Sequence, residues 1–144
     1  GRCYNHKEIY GTVTQLDNGW LDIRLNALLP NCRMIGGTQY IFDTVTRLLD
    51  GYRDRGGILP CYEKAYMAIA EHCPMERAGT FDNDNKGFRG VITALKGRAF
   101  RDDNQFELAL GMFTVIDEDI CCHIYVLPFD EAGDFHYQMS SKML

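Results

Sequence analysis

Two stretches of this chain repeat their apolar residues with the period of a helix, while the remaining apolar runs alternate or cluster as strands do. That change of period is the strongest constraint on what it can fold into. From Thr38 onward, Ile41, Val45, Leu48, Leu49 and Tyr52 fall on one helical face, with Thr38 as the expected N-cap and Gly56-Gly57 closing the segment. From Asn85 to Lys96, Phe88, Val91, Ile92 and Leu95 fall at i, i+3, i+4 and i+7, and Gly97 stands where a left-handed C′ residue belongs. Ahead of both, Tyr10–Leu16 and Trp20–Leu28 flank Asp17-Asn18-Gly19, which predicts a β-hairpin with a type I′ turn. Phe106–Ile116 and Ile120–Leu127 read as two strands joined by the acidic turn Asp117-Glu118-Asp119.

Leu59–Cys73 is open on these grounds, because its Glu, Lys, Ala and Met favour helix and its length suits a strand. The tail from Pro128 reads as a loose segment or a partner contact. Hairpin, helix, open element, helix, strand, strand is an α+β order. It predicts one mixed sheet with two main helices packed on one side. A length of 144 residues suits a single domain spanning 1–144, large enough to bury a core without disulfides.

Composition excludes several classes. With 46% apolar and 24% charged residues, the chain has the make-up of an ordinary globular protein. No apolar run approaches the ~18 residues of a membrane span, and no signal-peptide pattern is present, so a cytoplasmic protein without membrane partners is expected. The six cysteines at 3, 32, 61, 73, 121 and 122 include no CxxC pair and are expected to be reduced. In Cys121-Cys122-His123, strand alternation lets only Cys121 and His123 share a face, and a packed strand is the preferred reading over a metal site.

The formal charge of −5 disfavours simple electrostatic binding of nucleic acid, yet its distribution is uneven. From Arg77 to Arg101 there are six Lys or Arg and two Asp, whereas from Asp102 to Leu144 there are nine Asp or Glu and one Lys. The basic stretch carries Asp82-Asn83-Asp84-Asn85, and Asp102-Asp103 follows eighteen positions after Asp84. Each acidic group alone suits a turn or a helix cap. Brought together around one short helix, four carboxylates repel strongly, since two unit charges ~4 Å apart cost roughly 4 kcal/mol at an effective dielectric of 20. A hard divalent cation is the natural remedy, and two such ions would bring the formal charge to about −1.

These residues resemble the RusA-type Holliday-junction resolvases. That family's signature is DxDN opening a helix, a basic residue on the helix, and a DD pair leading into a strand. Here the matching residues are Asp82-Asn83-Asp84-Asn85, Arg89 or Lys86, Ala94-Leu95, and Asp102-Asp103-Asn104-Gln105. The resemblance extends over Leu21–Leu127, favours a strand for Lys64–Cys73, and makes the hairpin from Ile9 an addition. It implies that Asp82, Asp84 and Asp103 bind Mg2+, or Mn2+, with Asp102 as a less critical neighbour. Arg89, or else Lys86, takes the place of a catalytic lysine; the exchange matters because arginine stays charged and presents a planar fork.

The implied activity is Mg2+-dependent hydrolysis of phosphodiesters in branched DNA by a homodimer, since a four-way junction has two-fold symmetry. Lys96, Arg98 and Arg101 are then candidates for flanking phosphates. Two other readings stand beside it. One is a catalytically inactive, nuclease-derived module that binds nucleic acid or protein; the other is hydrolysis of a different phosphate substrate, such as a flap, a fork or a nucleotide.

Overall fold

The computed structural model describes residues 8–30, 36–77, 88–104 and 107–143. Asp17-Asn18-Gly19 turns the chain between β1 (Gly11–Gln15) and β2 (Leu21–Leu25), pairing Gly11 with Leu25 and Gln15 with Leu21. The turn is not the type I′ expected. Leu16 N–H bonds Trp20 O and Gly19 N–H bonds Leu16 O, each at 2.8 Å, and among the described residues only glycines have positive φ. A three-residue loop with Gly19 at φ 93° results. Asn18 does not take the positive φ of a type I′ turn, and its side-chain oxygen accepts the N–H of Trp20 at 3.1 Å.

Lys64–Cys73 resolves as a strand, β3 (Ala65–Cys73), joined in the sheet by β4 (Leu108–Ile116) and β5 (Cys121–Pro128). The order is β1-β2-β5-β3-β4; β3 runs antiparallel to β5 and parallel to β4. A parallel pair needs a crossover, and α2 (Phe88–Leu95) lies in it. β3 is buried at every position but His72, which explains why Ala65–Ala70 shows no alternation: a central strand covered on both faces is apolar on both.

On one face, Met67, Ile69, Ile124, Val126, Ile23 and Leu25 pack beneath α2 and α1 (Gly37–Asp54), through Val91 and Leu95 of the first and Ile41, Val45 and Leu49 of the second. α1 is capped by Gly36 at φ 81°, with no side-chain cap bond, rather than by Thr38. The two helices cross closely at Gly90, where a Cβ would run into Ile41 and lie 2.5 Å from Thr38 O. As the sequence implied, Gly97 ends α2 in the left-handed region, at φ 80°.

The opposite face corrects the expectation of two helices on one side. Ala132–Met143 is not a loose tail but a third helix, α3, that lays Phe135 and Met139 onto Tyr66, Ala68, Tyr125 and Trp20. No helix of the described residues is long and apolar enough to cross a membrane. The molecule is thus a single α+β domain with a mixed five-stranded sheet between α1 and α2 on one side and α3 on the other.

Candidate functional site

Asp82, Asp84 and Lys86 lie outside the described residues, so only the second half of the acidic constellation has a geometry. α2 ends in the turn at Gly97, where Arg98 and Ala99 N–H both bond Leu95 O, and the chain then reaches Asp102 and Asp103 before entering β4. The Asp103 N–H donates to Asp102 Oδ1 at 2.7 Å and the Asn104 amide to Oδ2 at 3.3 Å. Lys96 Nζ stands 3.2 Å from Asp103 Oδ1 and 3.6 Å from Asp102 Oδ1, so both carboxylates converge on one cationic point. The backbone N–H of Asp103 chiefly, with the Asn104 amide and Lys96, holds the Asp102 carboxyl below its ordinary value. Reciprocally, the bond to Asp103 raises the Lys96 ammonium.

Arg89, Thr93 and Lys96 are exposed and fall at i, i+4 and i+7, which places them along one stripe of α2. Seven residues at 1.5 Å each put Arg89 about 10 Å up the helix axis from Lys96. The other two cations assigned to phosphates are paired inside the molecule: Arg98 Nη1 to Asp50 Oδ1 at 2.8 Å, and Arg101 Nη2 to Glu107 Oε1 at 2.6 Å. A cavity of about 570 Å3 beside Arg101 is lined by Glu63, Lys64, Glu107, Phe129 and Asp130. Its three carboxylates against two cations make it a poor phosphate pocket.

A second constellation lies on the α3 side of the sheet. The β3–β5 register sets His72 opposite Cys121, and His123, two residues on, shares their face. One nitrogen of each imidazole and Cys121 Sγ all lie within 4.8 Å of one another. Asp117 Oδ2 holds His72 Nδ1 at 3.1 Å and Asp22 Oδ1 holds His123 Nδ1 at 2.9 Å. The ring of Tyr125 stacks on His123, with centroids 5.5 Å apart. Burial pushes the Cys121 thiol up, partly opposed by the Arg24 guanidinium. Both histidines face a cavity of about 320 Å3 between the sheet and α3.

Sequence reasoning placed Cys121 and His123 on one face but missed His72, Asp22 and Asp117. Pairing between strands brings them in, and nothing in the spacing of 22, 72 and 117 encodes it. Glu71 was missed as well: it is buried beneath the other face, where its Oε2 accepts the N–H of Leu29 at 2.9 Å. No protein-family model matches the chain, and no curated protein and no solved structure matches it either.

Proposed function

We propose that this chain is a metal-dependent endonuclease of the RusA type that hydrolyses phosphodiesters in branched DNA. The observation that carries the proposal is the convergence of Asp102 and Asp103 on one cationic point at the foot of an exposed helical stripe bearing Arg89. Paired carboxylates that hold an ammonium group offer the all-oxygen donor set that Mg2+ prefers, so this half of the site fits the ion. Asp103, with Asp82 and Asp84, would hold it, and Asp102 would orient its neighbour through the Asp103 N–H. Bound there, Mg2+ or Mn2+ supplies an activated water and polarises a phosphoryl oxygen. Arg89 would contribute fixed positive charge toward the phosphate, with Lys86 in reserve.

A homodimer fits this reading, because a four-way junction presents two equivalent strands. β4 is an edge strand with Leu110 and Ile116 exposed, and such an edge can accept a second copy. A second reading, the inactive binding module, is favoured by one observation: Lys96, Arg98 and Arg101 are each paired with a carboxylate of the same chain.

The test is titration calorimetry with Mg2+ and Mn2+, followed by incision of a synthetic four-way junction, a flap, a fork and a nucleotide side by side. Wild type should nick the junction, and Asp84→Asn and Asp103→Asn should each lose ~100-fold or more in rate, the scale of one lost electrostatic stabiliser. Incision undiminished in Asp84→Asn, or no metal uptake at millimolar Mg2+, sinks the nuclease reading. Metal binding with junction affinity but no incision selects the binding module.

A further inference from the structure

We propose that His72, Cys121 and His123 form a zinc site with one coordination position open to the cavity beneath α3. It is separate from the carboxylate site in both place and chemistry, and it does not rest on the nuclease reading. Two imidazoles and a thiolate are a nitrogen–sulfur donor set that suits borderline-soft Zn2+ and not Mg2+. Tetrahedral Zn2+, with bonds of about 2.0–2.3 Å, sets its ligand atoms roughly 3.5 Å apart. One nitrogen of each ring and the Cys121 Sγ already lie within 4.8 Å of one another, so zinc binding asks them to draw together by about 1 Å.

The histidines are held as metal ligands are held. Asp22 approaches His123 from β2, and Asp117 approaches His72 from the β4–β5 turn, so the carboxylates flank the pair from opposite sides. Each takes Nδ1, which leaves Nε2 of each ring as the nitrogen available to a metal. Such carboxylate–imidazole pairs fix ring orientation and strengthen the ligand in zinc sites. The ligands also ride on two central strands paired from Ala65–Pro128 to His72–Cys121, which keeps their backbones in place before a metal arrives.

Three protein ligands and an open position are the pattern of a reactive zinc site rather than a closed structural one. The open side faces a cavity of about 320 Å3 walled by Trp20, Tyr125, Phe135 and Met139. That shape takes a compact, partly apolar ligand with a single lone-pair donor at its head.

The test uses the full chain, purified under a thiol reductant without chelator. Elemental analysis should find one zinc per chain, and Co2+ exchanged into the protein should show a thiolate-to-cobalt charge-transfer band. Cys121→Ser should abolish that band, His123→Gln should lower zinc affinity further than ~100-fold, and Asp22→Asn should lower it ~10–100-fold. Asp103→Asn and Cys73→Ser should leave it unchanged, and far-UV circular dichroism confirms that each variant is folded. Imidazole added to the cobalt protein should shift the visible spectrum by filling the open position. A wild-type protein that takes up neither zinc nor cobalt, or a charge-transfer band that survives in Cys121→Ser, overturns the site. An unmoved spectrum with imidazole overturns the open position.

Discussion

Replacing Phe135 with alanine tests whether the C-terminal segment is a working part of the fold. The Phe135 ring is 2% exposed, and its centroid lies 5.2 Å from that of Tyr125, 5.8 Å from Trp20, 5.9 Å from Phe113 and 6.0 Å from Tyr66. Truncating a buried phenylalanine costs about 3–5 kcal/mol, and edge or tilted ring pairs add to plain burial. α3 is held to the sheet mainly by Phe135 and Met139, so it can settle partway into the space left, and the lower half of that range, about 3–4 kcal/mol, is expected. The assay is urea denaturation followed in parallel by far-UV circular dichroism and by the fluorescence of Trp20, the only tryptophan. Trp20 packs directly against Phe135, so its emission should shift to the red in the folded variant even before denaturant is added. Tyr137→Ala, two residues away and 83% exposed, should change stability by less than about 0.5 kcal/mol. A loss below about 1 kcal/mol for Phe135→Ala, with Trp20 emission unmoved, would refute the docking of α3.

Two further substitutions probe the packing on either face of the sheet. Gly90→Ala should destabilise by about 1–3 kcal/mol although alanine is the better helix former, because its Cβ has no room against Ile41 and Thr38 O; a stabilised variant in the same denaturation assay would mean that α1 and α2 do not cross there. Burial raises the Tyr66 phenol above its ordinary value of 10.0. A raised folded value means that Tyr66's contribution is complete below pH 10 and is lost as pH climbs through the raised value. Tyr66→Phe should therefore show a shallower alkaline loss of stability than wild type, and parallel limbs would show that the phenol does not titrate differently in the folded state.

Local punctuation was easy to read in this sequence, and long-range pairing was not. Gly97 announced the end of α2 because few residues other than glycine tolerate φ near 80° there. Asn18-Gly19 located the hairpin but not its turn type, since the choice depends on whether Asn18 spends its side chain on the Trp20 N–H. α3 was invisible as an amphipathic helix because Phe135 and Met139 are the buried apolar side chains among its described residues, a stripe too thin to stand out among polar neighbours. The candidate sites divide in the same way. Asp102-Asp103 could be found from spacing, and Lys96 was assigned to DNA rather than to those two carboxylates because contact across a helix C-terminus leaves no mark on composition. His72 could join Cys121 and His123 only once the β3–β5 register was known, and a slip of one residue would have turned it to the opposite face.

The two proposed sites differ in donor chemistry, which makes them separable, but they meet in the chain at one place. His72 is the penultimate residue of β3, and the segment that leads to Asp82 leaves from Cys73. That strand end is closed by the Asp117 N–H, which donates to Cys73 O at 2.9 Å, while the Asp117 carboxylate holds His72. A zinc ion bound through His72 would therefore stabilise this strand end, as any ligand that binds only the folded state does. A chelator selective for zinc should then loosen amide exchange at the Cys73–Ile116 end of the sheet without removing the oxygen donors of the carboxylate site. If Mg2+ uptake weakens along with that loosening, the two metal sites are coupled through the strand end. If uptake is unchanged, the two sites are independent.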